Sequence, residues 1–432
     1  MSLAEQIARE NHEPQWVKAI RTRAESFIDR AAYPKNTFYV NVHDYLPHSK
    51  PKFEIPKIEN LENLPKDIKT MLLKLGIPEY EWKRVLGMVQ VDEQTTSSNY
   101  LDVFRKQGAD VMKMSEALAK YEWLQEYAFR LMPIETNQIA AFHTAYWNGG
   151  AFVHIHEGAN VTAPIHTYFL ITEDRLAQAD HTVLIAEPGS EATFIEGCTA
   201  PPLLQFAGHF GATEVYIKKG AKITEVVLQN WPGYVHTRPI TRMILEEGAE
   251  VHLLTVLLGT GASTGRDEEI IIRGKGGKAV VESVGFVKDG ERITDNIRIL
   301  MDAPKSSALI NTKSVARGHA TSISYTDIRA SKNAKESRGH IECAGLLLTP
   351  GGVHETWPTL SSETRAVHLD HEAFVGRISE EILFYLQTRG LSEQEAVSMI
   401  VQGYIQPILK HVPIEYALEI RKIADMVAKG ES

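Results

Sequence analysis

The sequence EGANV at residues 157–161 is the first of five similar glycine-bearing turns, which recur along the middle of the chain and predict its fold. The others are PGSEA at 188–192, KGAKI at 219–223, EGAEV at 247–251 and GGKAV at 276–280. Their glycines, Gly158, Gly189, Gly220, Gly248 and Gly277, are spaced by 31, 31, 28 and 29 residues. A fixed period near 30 residues is typical of a solenoid, in which each repeat forms one coil.

Strand-forming residues fill the segments between these turns. From about residue 138, runs rich in Val, Ile and Thr follow a period of two, and no helical spacing separates the turns. A sandwich of antiparallel hairpins is the competing interpretation, but its turns would recur about every 8–12 residues. We therefore predict a parallel β-helix, whose stacked coils bury a shared interior.

Helical patterns mark both flanks of the repeats. Near the N terminus an apolar stripe has helical spacing and comprises Trp16, Ile20, Ala24, Phe27 and Ile28. Near the C terminus, Ser392 and Glu395 are spaced as a capping box, and Pro413 is expected to open a last helix. The predicted division is an N-terminal helical domain at 1–137, a β-helix core at 138–375 and a C-terminal helical domain at 376–432.

Composition argues against several classes of protein. The 432 residues include 46 Lys and Arg against 55 Asp and Glu, a net charge of −9, so nucleic acid is not an expected partner. No run approaches the roughly 18 apolar residues of a membrane span, and the first residues do not resemble a signal peptide. Cys198 and Cys343 lie 145 residues apart and form no disulfide framework, which predicts a cytoplasmic location.

The chain lacks the motif for nucleotide hydrolysis. The segment GTGASTGR at 259–266 is rich in glycine, but its glycines do not have the phosphate-loop spacing. The Lys that would contact the phosphates is missing as well. The chain is therefore predicted not to be an ATPase, and we do not expect it to be an enzyme with its own turnover.

Two groups of side chains could bind a metal ion. His154 and His156 are expected to share one face of a strand, and with His166 they resemble half of a cupin-type site. A histidine-rich metalloenzyme is therefore one alternative function. In the second group, His371 and Glu372 would point to opposite faces of a regular strand, so they could hold one ion only at a strand end, a bulge or an interface.

The cysteines allow two interpretations from their surroundings alone. Cys198 stands near the end of a strand run, three residues before Pro201 and Pro202 break it, and Cys343 stands in a second apolar run. A cysteine in such a place is often a small buried hydrophobic residue. It can also be a reactive thiol, and the local sequence leaves both interpretations open.

A series of short motifs covers nearly the whole chain: in order they are Glu13-Pro-Gln-Trp16, Leu75-Gly-Ile-Pro-Glu79, Lys106-Gln-Gly108, Trp147-Asn-Gly-Gly150, Glu196-Gly-Cys-Thr-Ala-Pro201, Gln229-Asn-Trp231, His371-Glu372, Phe384-Tyr-Leu386 and Arg389-Gly390. These motifs resemble those of the SufB/SufD family, the scaffold proteins of SUF iron–sulfur cluster assembly, and are more similar to SufB. The resemblance implies a right-handed parallel β-helix between helical N- and C-terminal domains, which agrees with the repeat pattern.

The resemblance also implies roles for individual residues. Cys198 would accept sulfur as a persulfide, and Gln229 and Trp231 would line the route of the sulfur. Cys343, His371 and Glu372 would hold the nascent cluster and its metal. The partner-binding residues would be Phe384, Tyr385, Arg389 and Tyr404, which we expect to contact the ATPase SufC.

The implied cofactor is a transient iron–sulfur cluster of unspecified type, and none is expected in protein isolated in air. The implied partners are a SufC-like ABC-type ATPase, a sulfur donor protein, and either a second copy of the chain or a SufD-like subunit. The chain departs from the family at Leu170 and Thr172, where SufB proteins usually have Arg and Asn, and at Arg242, where they have Lys. A homodimer with SufC is the expected assembly, and a SufD-like subunit without a cluster is a further alternative.

Overall fold

A computed structural model of the chain describes residues 1–48, 66–74, 87–97, 101–201, 204–231, 233–410 and 414–430. The family motif at 75–79, Pro202 and Pro413 lie outside these ranges. The described helices are α1 Leu3–Glu10, α2 Gln15–Glu25, α3 Lys66–Lys74, α4 Leu101–Lys106, α5 Met114–Lys120, α6 Gln138–Tyr146, α7 Glu380–Thr388, α8 Glu393–Leu409 and α9 Ile414–Lys429.

Strands dominate the middle of the chain. They are β1 Gly87–Val91, β2 Gln94–Ser97, β3 Ala109–Lys113, β4 Ala151–Ile155, β5 Asn160–Leu170, β6 Ala177–Gln178, β7 His181–Ala186, β8 Glu191–Thr199, β9 Ala207–His209, β10 Ala212–Ile217, β11 Lys222–Trp231, β12 Val235–Thr237, β13 Ile240–Leu245, β14 Glu250–Thr260, β15 Ser263–Ile272, β16 Lys278–Val287, β17 Arg292–Met301, β18 Ser307–Ala316, β19 Thr321–Ala330, β20 Ser337–Leu347, β21 Val353–Ser362 and β22 Val367–Arg377.

These strands build a parallel β-solenoid of about eight turns, which confirms the predicted fold class. One sheet has the order β2-β1-β5-β8-β11-β14-β16-β18-β20-β22, and the other runs from β21 back to β3 through β19, β17, β15, β13, β10, β7 and β4. The pairings β1–β2 and β3–β4 are antiparallel. The N-terminal segment, predicted to be mostly helical, thus also contributes strands to both sheets.

The glycine-bearing turns stack on one another, as the repeat predicts. Gly220 has a φ of +68°, and its amide donates to the carbonyl of Glu247 in the next coil at 2.8 Å. In the fifth turn this position is taken by Gly276, with a φ of +74°, so the predicted Gly277 is wrong by one residue. Lys305, at 59°, takes the corresponding place in the next coil, where the amide-to-carbonyl bond is kept.

Alternation along each strand separates an inner from an outer face. On β14, Leu253 belongs to the cluster that fills the solenoid, whereas Leu254 and Val256 belong to a second cluster outside it. The outer cluster includes apolar residues of α3, α8 and α9, so these helices cover one sheet. The predicted capping box begins α8, where Ser392 and Glu395 bond reciprocally.

A buried ion pair fastens the N-terminal helices to the solenoid. The guanidinium of Arg21 donates to both carboxylate oxygens of Glu13, at 2.7 and 2.6 Å. It also donates to the carbonyl of Ala145 at the end of α6 and to that of Trp147, which lies between α6 and β4. The motifs Glu13–Trp16 and Trp147–Gly150 are therefore joined in space by a single side chain.

We predict opposite effects of the same substitution at two glycines. An added Cβ meets no atom within 4 Å at either Gly220 or Gly403. Gly220→Ala should lower stability by about 1 kcal/mol, because alanine resists a left-handed backbone. Gly403→Ala, inside α8, should raise stability by up to about 1 kcal/mol, because alanine favours a helix. Urea unfolding measures both, and a stabilised Gly220→Ala variant would contradict the turn geometry.

Candidate functional site

Cys198 lies on the inner face of β8 and is fully buried. Its Cα partners are Gln229 on β11 and Phe169 on β5. Its Sγ lies 3.8 Å from Oε1 of Glu196, which points to the same face. The sulfur acceptor implied by the resemblance is therefore an interior thiol beside a carboxyl group.

Burial and two acidic neighbours keep this thiol protonated. The pKa of Cys198 lies well above its ordinary value, first because of burial and then because of the charges of Glu196 and Asp180. Burial also raises the pKa of Glu196 to about 7, and it raises that of Asp180 with help from Glu196. Glu196 can thus exchange a proton near neutral pH, at hydrogen-bonding distance from sulfur.

The two predicted route residues lie next to Cys198. Gln229 and Trp231 are both buried, and the indole Nε1 of Trp231 donates to Oε1 of Gln229 at 3.4 Å. The ring of His209 lies 4.9 Å from the Trp231 ring, and burial lowers the pKa of His209 to about 3. A neutral imidazole, an amide and an indole therefore line the interior beside the thiol.

None of the three positions that depart from the family brings a basic or amide group into the interior. Leu170 packs in the outer cluster, and the hydroxyl of Thr172 donates to Asp92. Arg242 donates to the carboxylate of Asp267 at 2.6 Å. The side chains at these positions lie elsewhere than on the predicted route.

Arg266 supplies a charge inside the solenoid that the sequence analysis missed. Arg266 is almost fully buried. Its Nη2 lies 3.1 Å from Oε1 of Glu268, and its Nε lies 3.2 Å from Oδ1 of Asp295. Together with Glu196 and Glu225 it lines a cavity of about 20 Å³, which has room for about one water molecule. The alternation of β15 could have revealed it, since Arg266, Glu268, Ile270 and Ile272 share one face.

A ladder of mostly polar side chains connects the two cysteines. The in-register Cα partners, from β8 to β20, are Glu196, Val227, Thr255, Ser283, Thr312 and Cys343. Five strand spacings separate the ends, or about 24 Å. Since two thiols that far apart cannot exchange sulfur directly, a carrier would have to cross the interior.

Cys343 is buried in the coil next to the end of the solenoid. Its Sγ lies 3.4 Å from the hydroxyl of Thr326, and its Cα partner on the terminal strand β22 is Ala373. The partner of His371 is Ile341, so His371 shares the face of Cys343, whereas Glu372 points the opposite way. His371 and Glu372 are both exposed.

The ligand atoms of Cys343, His371 and Glu372 do not converge within one chain. Among the described residues, the groups of three or more potential metal ligands with all ligand atoms within 4.8 Å do not include this set. A metal or cluster held by these three side chains would therefore need a rearrangement or ligands from a second subunit.

His354 is a further side chain of this region that the sequence analysis did not select. Neither ring nitrogen has a hydrogen-bond partner among the described residues, and burial lowers the pKa of His354 to about 4. Its ring lies against Gly345, two residues after Cys343, where a Cβ would come within 2.2 Å of Cδ2. The glycine makes room for an uncharged imidazole near the thiol.

The predicted partner-binding residues divide into two groups. Phe384 and Tyr385 on α7 are 68% and 55% exposed, and the guanidinium carbon of Arg389 lies 5.1 Å from the centre of the Tyr385 ring. Tyr404 on α8 instead packs against Lys313, whose Nζ lies 5.1 Å from its ring, and its hydroxyl is buried. We refer to Phe384, Tyr385 and Arg389 as the α7 patch.

The three histidines of the metalloenzyme alternative do not form one site. His154 and His156 lie at β4, in one sheet, and His166 lies on β5, in the other. The Nε2 of His166 is 3.0 Å from the hydroxyl of Tyr416 in α9. The cupin-like set is therefore not assembled.

The spacing Gly261-Ala-Ser-Thr-Gly265 matches the motif of a serine nucleophile elbow, but its structural context differs. Ser263 is the first residue of β15, and the chain continues as a strand rather than turning into a helix. An elbow needs a strand, a sharp turn and a helix.

Within the described ranges, no helix is both long and apolar enough to cross a membrane.

The fold and these residues define a class of protein: a parallel β-solenoid with a buried thiol near each end of a polar interior and with helices at both termini. The sequence model described as "SUF system FeS cluster assembly, SufBD core domain" matches residues 169–404. The chain belongs to this SufBD family, a family of assembly proteins.

Curated relatives extend the similarity over the whole length. An iron–sulfur cluster assembly SufBD family protein of Pyrococcus horikoshii is 38% identical over 431 residues, covering 99% of this chain and 96% of that protein. Proteins of the same description from Staphylococcus haemolyticus and Staphylococcus aureus are 28% and 29% identical, with 99% of this chain and 93% of each relative covered.

We predict that Cys198 resists alkylation in the folded protein. Between pH 7 and pH 9 the thiolate fraction of an ordinary cysteine rises about 25-fold. The modification rate of Cys198 should rise far less, because its raised pKa keeps it protonated and burial excludes the reagent. Mass spectrometry of iodoacetamide-treated protein measures this, with urea-unfolded protein as the control. Complete modification of native Cys198 within minutes at pH 7 would contradict the buried position.

Proposed function

We propose that this protein is a SufB-like scaffold, in which Cys198 accepts sulfur and an iron–sulfur cluster is assembled as cargo at Cys343. The observation that carries the proposal is the interior ladder, which starts at Glu196 beside one thiol and ends at the other. Polar groups buried in the core of a domain cost stability, so their alignment between two thiols favours a functional role.

Sulfur acceptance requires the thiolate of Cys198 and a donor whose docking gives access to this buried thiol. Glu196, with a pKa of about 7 and 3.8 Å from Sγ, is placed to take the proton. The thiolate attacks the outer sulfur of a donor persulfide, which forms the Cys198 persulfide and frees the donor thiolate. Two thiols from an external dithiol then release hydrogen sulfide, restore Cys198 as a thiol and become a disulfide.

Cluster binding at Cys343 needs ligands beyond its single thiolate. Clusters are usually held by four thiolates, and Cys343 offers one. His371, Glu372 and the imidazole of His354, which has no hydrogen-bond partner within the described ranges, are nitrogen and oxygen donors in the same region. Donors of this kind hold sulfide-bridged iron less firmly than thiolates. Weak binding suits a scaffold that releases its product.

A two-fold dimer through the terminal coil would supply the second set of ligands. The outermost strands of the two sheets at this end are β21 and β22, and Trp357 and Phe374 on them are 56% and 59% exposed. Large exposed aromatic side chains on open strands are typical of an association surface. The partner would be a second copy of the chain or a SufD-like subunit.

The α7 patch is the proposed contact of a SufC-like ATPase, in the cytoplasm. Exposed aromatic and arginine side chains supply much of the binding energy in protein interfaces. Phe384 and Tyr385 offer this surface, whereas Tyr404 is engaged with Lys313. ATP hydrolysis by the partner could then open the dimer and release the cluster.

Anaerobic reconstitution tests the cluster site. Cys343→Ser should abolish cluster formation, measured as iron, acid-labile sulfide and visible absorption, while size-exclusion chromatography shows an unchanged assembly. Cys198→Ser is the matched control: it should reconstitute normally with inorganic sulfide but lose sulfur transfer from a persulfide donor. A full cluster in Cys343→Ser would refute the assignment.

Co-purification tests the ATPase contact. Phe384→Ala should weaken binding of the SufC-like ATPase at least about tenfold, as expected for loss of a central aromatic anchor. Met399→Ala, on α8, is the control, because Met399 is 52% exposed but lies outside the patch. Equal binding by both variants would move the contact to another surface.

A SufD-like structural subunit without a cluster is the second candidate function. It is favoured by one observation: the ligand atoms of Cys343, His371 and Glu372 do not converge within the chain. If wild-type protein binds the ATPase but never retains iron and sulfide, with or without a second subunit, this candidate replaces the scaffold.

A further inference from the structure

Two imidazoles and two carboxylates gather on the outer face of the first coil, at the opposite end of the solenoid from Cys343. His154 lies in β4 and His156 directly after it, so their side chains share a face. Asp110, on the antiparallel strand β3, is the Cα partner of His154. Glu187 directly follows β7, which pairs with β4 on its other side.

Contacts between these side chains run diagonally across the strands. The Nε2 of His154 lies 3.2 Å from Oε1 of Glu187, and the Nε2 of His156 lies 3.1 Å from Oδ2 of Asp110. One ligand atom each from Asp110, His154 and His156 falls within 4.8 Å of the others, which within the described residues is the case for this group alone. Ligands bound to one tetrahedral ion at about 2.0–2.1 Å lie about 3.4 Å apart, so small rotamer changes bring them together.

We propose that Asp110, His154 and His156, with Glu187 as fourth ligand, form a binding site for one first-row divalent transition metal ion. Two imidazoles and carboxylates suit Zn²⁺, Fe²⁺ and Co²⁺, whereas Ca²⁺ and Mg²⁺ prefer an all-oxygen shell. The carboxylates of Asp110 and Glu187 neutralise the ion. The ammonium group of Lys218 competes with the ion for Glu187, because its Nζ lies 3.5 Å from Oε1 of that carboxylate.

Access and position fit a bound ion. The side chain of His156 is 46% exposed, which allows the ion to enter. The ligands come from β3, β4 and β7, so the ion would clamp the N-terminal segment to the solenoid. Since neither cysteine is a ligand, this site is independent of sulfur transfer and cluster assembly.

Titration of the full-length chain with Co²⁺ tests the site. The background is Cys343→Ser, which removes the thiol of the proposed cluster site, and the protein is first treated with chelator. Saturation at one Co²⁺ per chain should give ligand-field bands without the charge-transfer band of a thiolate ligand. Zn²⁺ should displace the Co²⁺ and raise the thermal unfolding temperature.

Matched variants locate the ligands. His156→Gln should weaken Co²⁺ binding at least about 100-fold, because loss of a ligand exceeds the effect of outer-shell changes. His319→Gln is the control, because His319 is exposed and its Nδ1 forms a similar pair with Oδ1 of Asp289 at 3.1 Å. The Co²⁺ affinity of this variant should equal that of the parent. Circular dichroism confirms folding, and His154→Gln provides a second ligand variant.

Three results would overturn the proposal. The first is that the parent shows no saturable binding of Co²⁺ or Zn²⁺. The second is that the parent and both ligand variants bind Co²⁺ with equal affinity, and the third is that a thiolate charge-transfer band appears. Cluster reconstitution of His156→Gln with Cys343 intact should match the wild type. A failed cluster site and a failed metal site therefore give different results.

Discussion

Successive coils stack strand on strand in register, and most of the structure depends on this constraint. Parallel pairing places each side chain directly on its counterpart one coil away, so a property repeated at one position becomes a continuous row. The row from Glu196 to Cys343 is an interior polar row of this kind. Ile195, Val226 and Leu254 are in-register partners in three successive coils and form part of the outer apolar face that the helices cover. A shift of one residue would exchange the two faces.

The buried carboxyl groups make the interior less stable than an all-apolar core would be. Asp180, Glu196 and Glu225 are buried, and burial raises the pKa of each carboxyl group. Arg266 compensates Glu268 and Asp295 but not the acids nearest Cys198. A solenoid built only for stability would fill this volume with aliphatic side chains, as Leu253, Val281 and Ile310 do in successive coils further along. Perturbed acids beside a thiol are typical of a functional site.

Local patterns predicted more of this molecule than long-range contacts did. The turn period and the alternation of strand residues depend on neighbours in sequence, and they predicted the solenoid and the capping box of α8. The same alternation predicts that Glu196 points into the interior if Cys198 does, because the two residues stand two positions apart on one strand. By contrast, the packing of Tyr404 on Lys313 and of His354 over Gly345 depends on which elements face each other, and the sequence pattern does not specify this. The alternation of β15 is a local pattern of the same kind and places Arg266 inside, although the sequence analysis did not use it.

The covering of the outer face has a consequence for synthesis on the ribosome. Coils about 30 residues apart can pair as soon as they emerge, because each contacts only its neighbours. The bond between His166 and Tyr416 spans 250 residues, so α9 can dock only after the last coil has formed. Until then the part of the outer apolar face that α9 covers, in the cluster with Ile195, Leu228 and Val256, is exposed to water. The nascent chain therefore passes through a stage in which a finished solenoid presents an uncovered hydrophobic face, the kind of species that chaperones bind.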